Sequence, residues 1–281
     1  MSANRVLLGD NLELMRDEPA ESVQMAYLDP PFNTGSDRTR RTVSTTAAAD
    51  GDGNGDRTGF GGRRYVTRLL EESSYRDAFD DYLGFLEPRL REVRRLLHPT
   101  GTLYFHIDWR EAHYCKLLLD ELFGRACFLN ELIWAYDYGA KPRRRWPPKH
   151  DTILVYVKDP AAYFFDAEAV DREPYMAPGL VTPEKVARGK RPTDVMWHTI
   201  VSPTGREKTG YPTQKPEGLL RRFVQASSRP GDLCLDPFAG SGTLGAVAAK
   251  LERRWLLIDE SSAAVALAKR RVAGATPVQR T

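Results

Sequence analysis

The stretch "YLDPPFNTG" (Tyr27–Gly35) ends an apolar run on a carboxylate and follows it with two prolines, an aromatic ring and an asparagine. Two consecutive prolines fix two φ angles and remove two backbone donors. The turn therefore offers acceptors: the Asp29 carboxylate and the bare carbonyls of Pro30 and Pro31, beside the flat face of Phe32. Such rigidity suits a site where acceptors must meet a partner at a fixed angle. Alone, the pattern would also fit a helix cap before a Pro-rich turn.

A second motif, "DPFAGSGTLG" (Asp236–Gly245), carries G-x-G-x-x-G at Gly240, Gly242 and Gly245 between a predicted strand and a predicted helix. Asp259 ends the next predicted strand about 20 residues on, where a ribose-binding acid belongs. Glycines let a backbone approach a ligand closely. Only one strand and one helix follow, so the rest of the sheet must come from earlier in the chain, in permuted order. That order fits a dinucleotide oxidoreductase badly. Asp236, just before the glycines, would repel a pyrophosphate. S-adenosylmethionine suits it better, with its sulfonium, its ammonium and no phosphate.

The elements that position these motifs alternate between strand and helix. Strands are expected at Arg5–Asp10, Val23–Asp29, Gly101–Asp108 and His150–Asp159, and in "DLCLDPF" and "RRWLLID". Phe79, Tyr82, Leu83, Leu86, Leu90, Val93 and Leu97 recur at helical spacing before Pro99–Gly101. Further helices are expected in "NLELMRDEP", "REAHYCKLLLDELFG", "KPEGLLRRFVQASS", "GSGTLGAVAAKLE" and "SSAAVALAKRRVA". The alternation implies an α/β, mostly parallel sheet with helices on both faces. Three parts are expected: residues 1–159 as a catalytic half, 160–211 as an irregular insert, and 212–281 as a cofactor-binding half. Thr34–Arg64, rich in Gly, Asp, Thr and Arg, is expected to be a mobile loop.

The bulk numbers allow one large core: 281 residues, 41% hydrophobic, formal net charge +3. Charge placement matters more than the total. Cys115, Cys127 and Cys234 show no close pairing, which implies a reducing cytosol and no disulfide scaffold. With no signal-like N-terminus and no long apolar run, a soluble cytoplasmic protein without membrane partners is expected.

"LDPPFNTG", followed far downstream by "YPTQKP" and "LDPFAGSGT", resembles the amino-group DNA methyltransferases of bacteria, and their beta class in motif order. The similarity runs from Arg5 to about Val272, outside Thr34–Arg64 and most of Pro160–Tyr211. It implies a Rossmann-like methyltransferase fold and methyl transfer from S-adenosylmethionine to N6 of adenine or N4 of cytosine in double-stranded DNA. Asp29, Pro30, Pro31 and Phe32 then stand at the catalytic tetrapeptide, with Phe32 in a place more often held by Tyr. Asp236, Phe238, Gly240, Gly242 and Thr243 stand at the cofactor loop, Asp259 at the ribose acid, and Asp10 and Lys215 at positions that line the cofactor pocket. Asp in the first catalytic position favours adenine; cytosine N4 would use the same mechanism, and an inactive DNA-binding relative is the remaining alternative. Relatives often form homodimers, and a restriction endonuclease is a plausible partner.

Beside a base-modifying site, basic clusters suit DNA phosphates. Lys141, Arg143, Arg144, Arg145 and Lys149 surround Trp146, and Arg188, Lys190 and Arg191 form a second cluster in the insert, where Glu184 and Lys185 could also read bases. "DGDGNGD" copies the start of a calcium loop, yet Gly61 stands where the bidentate Glu belongs, so no metal is expected there. The histidines and cysteines lack zinc-ligand spacing.

Overall fold

The computed structural model describes residues 4–275, apart from 36–37, 48–56, 59–63, 76, 140 and 203. In chain order the elements are β1 (Arg5–Leu8), α1 (Asn11–Arg16), β2 (Val23–Leu28), β3 (Arg38–Ala47), β4 (Arg57–Thr58), β5 (Arg64–Tyr75), α2 (Tyr82–Leu96), β6 (Leu97–Ile107), α3 (Ala112–Phe123), β7 (Phe128–Ala135), β8 (His150–Val157), α4 (Pro183–Arg188), β9 (Val195–Trp197), α5 (Glu217–Ser227), β10 (Leu233–Asp236), α6 (Thr243–Lys250), β11 (Arg254–Asp259) and α7 (Ser262–Ala273). They fall into two compact units, Met1–Phe32 with Asp81–Thr281, and Asn33–Asp80.

The larger unit is built on an eight-stranded sheet in the order β1-β11-β10-β2-β6-β8-β7-β9. Neighbours are parallel except at β8, which runs against both β6 and β7. The expected permuted order is realised: the last two strands of the chain, β10 and β11, slot between the first two, β1 and β2. From β10 the chain passes through α6 to β11 on one side, while β2 leads on to β6 on the other. Diverging connections of this kind open a crevice beyond the carboxyl ends of the strands.

β2 is buried at all six positions, as a strand covered on both faces must be. Met25 and Tyr27 point into a cluster with Leu219, Leu220 and Phe223 of α5, Leu244 and Val247 of α6, and Leu257 of β11. Tyr104 stacks on Phe223 at 4.5 Å, and its hydroxyl meets Ser227 Oγ at 2.7 Å. α1, α2 and α3 pack in succession, as do α5, α6 and α7.

The strand β7 carries exposed Asn130 and Glu131, which break up its apolar pattern, and the sequence alone did not mark it. Within Pro160–Tyr211 the chain forms α4, a bridge between Glu173 and Lys190, and β9, which adds an edge strand beside β7. The expectation of an unstructured loop at Thr34–Arg64 fails for its described strands. β3 pairs antiparallel with β5 from Arg38↔Tyr75 to Ala47↔Tyr65, and β4 pairs with the start of β5. Alternating Thr, Val and Arg favour extended backbone, and the low-complexity composition hid that preference. The calcium-like "DGDGNGD" and Gly61 lie outside the described residues.

One buried ionic cluster ties three helices together. Glu217, first residue of α5, accepts from Lys250 Nζ of α6 at 2.5 Å and from Arg271 Nη2 of α7 at 3.1 Å. Arg271 Nη1 also donates to Thr243 Oγ1 at 2.8 Å. Burial pushes the Glu217 carboxyl up, but the hydrogen bonds from Lys250 and Arg271 prevail and hold it below its ordinary 4.5. A depressed folded-state value stabilises fully above the unfolded carboxylate's range, and the gain is lost as pH falls through the folded value. Glu217→Leu is therefore expected to cost about 3–5 kcal/mol at neutral pH, because Arg271 loses its counter-charge. The deficit should narrow as urea titrations move into the acid range; a constant deficit at every pH would contradict this account.

Candidate active site

Asp29, Asp236 and Asp259 end, or directly follow, the three neighbouring strands β2, β10 and β11. The sheet therefore gathers three carboxylates at one edge, at the point where the connections diverge. Asp236 is 2% exposed. Burial pushes its carboxyl well above the ordinary range; the Phe238 N–H at 3.1 Å opposes this, Asp29 and Asp259 add to it, and Lys215 opposes it. Asp259 is likewise pushed up by burial, although it accepts from Gly240 N at 2.7 Å and Ser261 N at 2.8 Å. An edge that gathers three acidic side chains is chemically suited to a cationic ligand.

The Pro-Pro turn is anchored from α2. Tyr82 donates its hydroxyl to the Pro31 carbonyl at 2.6 Å. Of the two bare carbonyls, Pro31's is thus engaged, and Pro30's accepts no hydrogen bond among the described residues. Lys215 Nζ meets Asp29 Oδ2 at 2.5 Å and lies 5.0 Å from the Phe32 ring centroid. Asp29 Oδ1 is buried and has no hydrogen-bond partner among the described residues.

Behind Asp29 lies a polar chain that the sequence did not reveal. Tyr27 Oη meets His106 Nδ1 at 2.7 Å, His106 Nε2 meets Asp151 Oδ2 at 3.2 Å, and Tyr136 donates to Asp151 Oδ1 at 3.0 Å. Burial pushes the Asp151 carboxyl up, but the His106 hydrogen bond and charge, with help from Lys215 and Tyr136, bring it below the usual range. His106 Nδ1 is also 3.9 Å from Asp29 Oδ1. These side chains come from adjoining strands or their ends, so only sheet register brings them together.

The glycines divide their work. A Cβ on Gly242, at φ +72°, would lie 2.7 Å from the Ala268 Cβ, and one on Gly245 would lie 2.5 Å from Leu257 Cδ1. Both positions let α6 lie close to α7 and β11, a packing requirement that stands beside the cofactor-loop place expected for Gly242. A Cβ on Gly240, at φ +48°, would lie 3.1 Å from the Tyr211 ring. Thr243 donates to the Lys215 carbonyl at 3.1 Å, so it fixes the Lys215 segment. Phe238 meets Phe85 with ring centroids 6.3 Å apart. Asp10 caps α1 by accepting from Leu12 N and Glu13 N, and pairs with Arg89 at 2.7 Å. Arg89 also holds Asn11, which donates to the Pro237 carbonyl at 2.7 Å.

Of the basic clusters, Lys141–Lys149 joins the end of β7 to the start of β8, at the sheet edge that carries Asp29. Trp146 is 94% exposed, and Arg145 lies 5.4 Å from the Trp109 ring centroid. Lys149 instead donates to the Tyr138 and Gly139 carbonyls, closing the loop base. In the second cluster Lys190 pairs with Glu173 at 2.9 Å and Arg191 pairs with Glu168, while Arg188 is exposed on α4.

The raised Asp236 carboxyl carries a stability signature. A folded-state value above the unfolded one destabilises increasingly as pH rises from the unfolded value toward the folded value. Asp236→Asn is therefore expected to melt higher than the wild type at neutral pH, by a margin that shrinks in acid, while affinity for a cationic ligand falls. A lower melting temperature at neutral pH would refute the assignment.

The profile of the N6/N4 methyltransferase family, described as DNA methylase, matches residues 23–270. The DNA adenine methyltransferase YhdJ of Escherichia coli is 30% identical over 278 residues, covering 96% of this chain and 83% of that protein. The type II methyltransferase M.HpaI of Haemophilus parainfluenzae is 29% identical over 268 residues, covering 95% of this chain and 74% of that one. Among solved structures, the cytosine-N4-specific PvuII DNA methyltransferase superposes with a TM-score of 0.65 at 16% identity, covering 96% of this chain and 86% of that one. The M1.HpyAVI–SAM complex gives 0.59 at 21%, covering 95% and 98%. With the family profile spanning most of the sheet and both motifs, the chain belongs to the N6-adenine and N4-cytosine DNA methyltransferase family.

Proposed function

We propose that Asp29 and the Pro30 carbonyl grip the exocyclic amine of a base flipped out of double-stranded DNA, with adenine N6 as the favoured target. The observation that carries this is the rigid turn: Pro31 is pinned by Tyr82, while the Pro30 carbonyl, next to Asp29, accepts no hydrogen bond among the described residues. An amine conjugated to a base ring is a poor nucleophile, because its lone pair is delocalised. Two acceptors for its two hydrogens draw the nitrogen out of conjugation and stabilise the charge that builds on it. The turn keeps both aligned without reorganisation. Phe32 offers a face for the base, and extrusion from the duplex costs about a few kcal/mol.

As a member of this family the enzyme uses S-adenosylmethionine, which supplies an activated methyl group. The residues fit it: Asp236 is a buried carboxyl group that forms no ion pair among the described residues, and Asp259 retains acceptor capacity for a ribose hydroxyl. Phe238 and the Gly240 turn complete the same edge. Adenine is supported by Asp at the first catalytic position and by the similarity to a protein named as an adenine methyltransferase.

Lys141, Arg143, Arg144 and Arg145, with Trp146, are proposed to contact DNA phosphates beside the site. Residues 160–211 are proposed to read sequence, with Glu184, Lys185 and Arg188 on or beside the exposed face of α4. Lys190 and Arg191, both ion-paired, hold that segment together. A restriction endonuclease partner is supported by relatives named as type II methyltransferases. A homodimer is supported by the exposed apolar side chains Met176, Leu180 and Trp197. Among the described residues no helix is long and apolar enough to cross a membrane.

Asp29→Ala should lower methyl incorporation into DNA at least about 10²–10³-fold while cofactor binding persists. Mass spectrometry of nucleosides from treated DNA should show N6-methyladenine; N4-methylcytosine would reassign the base, and full activity in the variant would reject the mechanism. Replacing Arg143, Arg144 and Arg145 together by Ala should reduce the salt slope of DNA binding by about 2–3. An unchanged slope would remove the loop from the interface.

A further inference from the structure

Neither oxygen of Asp29 is open to an incoming group. Oδ1 is sealed in the interior, and Oδ2 is covered by the Lys215 ammonium at 2.5 Å. That ammonium sits 5.0 Å from the Phe32 ring centroid. It therefore occupies both features assigned to the target: the acceptor for an amine N–H and the shelf for a ring. The main chain of Lys215 is tethered, since its carbonyl accepts from Thr243 Oγ1, which is held in turn by Arg271. Its unbranched side chain has the rotamers to withdraw while the backbone stays in place.

We infer that Lys215 is a placeholder for the target amine: in the DNA-free enzyme its ammonium fills the amine's seat on Asp29, and the entering base exchanges places with it. This rests on the roles proposed above for Asp29 and Phe32. The physical reason is the company Asp29 keeps. A part-buried carboxylate near Asp236, with one oxygen already lacking a donor, would be costly without a counter-charge. Exchanging one N–H donor for another keeps the carboxylate satisfied in both states. The exchange also selects. A base that presents a carbonyl where adenine or cytosine presents an amine has no donor to offer, so displacing Lys215 would leave Asp29 unpaired. Lys215 is thus a positioning and selecting residue at the target's seat, a role distinct from the cofactor-pocket place that the sequence resemblance implies.

The test compares wild type, Lys215→Met and Lys215→Arg. Methyl incorporation from labelled S-adenosylmethionine into unmodified plasmid DNA gives KM for DNA and kcat, and calorimetry without DNA gives cofactor affinity. Met keeps the apolar stem and removes the donor, so KM for DNA is expected to fall about 3–10-fold. Arg offers a two-pronged fork that holds a carboxylate more firmly, so KM is expected to rise. Cofactor affinity should change less than about twofold in both, a small free-energy difference. Loss of cofactor affinity in both variants with KM unmoved, or a rise of KM in both, overturns the inference. If Lys215→Met does not fold, Lys215→Arg decides by the direction of its KM. A wild type that binds cofactor yet transfers no methyl overturns the underlying assignment along with the inference, whereas active variants with unmoved KM overturn the inference alone.

Discussion

Placing Asp29, Asp236 and Asp259 at the ends of three adjacent strands concentrates like charge where water is scarce, and the fold must compensate for it. Compensation comes from Lys215, from the Phe238, Gly240 and Ser261 N–H groups, and from the raised carboxyl of Asp236. None of these neutralises the edge completely. A protein optimised for stability alone would hold fewer carboxylates there. Acidic side chains gathered there suit a sulfonium and an ammonium, so the electrostatic cost of placing them together and the affinity proposed for a cation have one cause.

Everything around that edge serves to deliver groups to it from distant parts of the chain. The first two strands flank the last two, so Asp29 and Asp236 become neighbours although more than two hundred residues separate them. Lys215 arrives on a segment tied to the start of α6 through Thr243, and Arg271 and Glu217 lock that start against α5 and α7. The pairing of Lys215 with Asp29 therefore depends on helix packing well outside the site. The small residues of the glycine motif belong to the same arrangement, because Gly242 and Gly245 let α6 lie close to α7 and β11.

A line of polar side chains extends from the Pro-Pro turn toward the basic loop. Tyr27, His106, Asp151 and Tyr136 link β2, β6, β8 and the end of β7, and Tyr136 N donates to the Lys149 carbonyl at the loop base. The loop that carries Arg143–Arg145 and Trp146 thus grows from the same rigid edge as Asp29. Buried polar chains of this kind fix side-chain geometry when every member is paired.

Local chemistry was legible in the sequence because it is written in adjacent residues. The Asp-Pro-Pro-Phe turn, the glycine motif, the acid that ends β11 and the alternation of strand with helix all depend on neighbours along the chain, and so does the permuted order of the motifs. The antiparallel sheet within residues 33–80 was missed because composition was weighed above the alternation of β-branched residues, and β7 because its exposed polar positions interrupt its apolar pattern. What only the tertiary structure decided are the contacts between residues far apart: Lys215 on Asp29, His106 between Asp29 and Asp151, Arg89 on Asp10, and the ion pairs that engage Lys190 and Arg191. Sequence spacing specifies which way a side chain points within its own element. Which distant side chain it meets is fixed by strand register and helix packing, and these exist only once the sheet has closed.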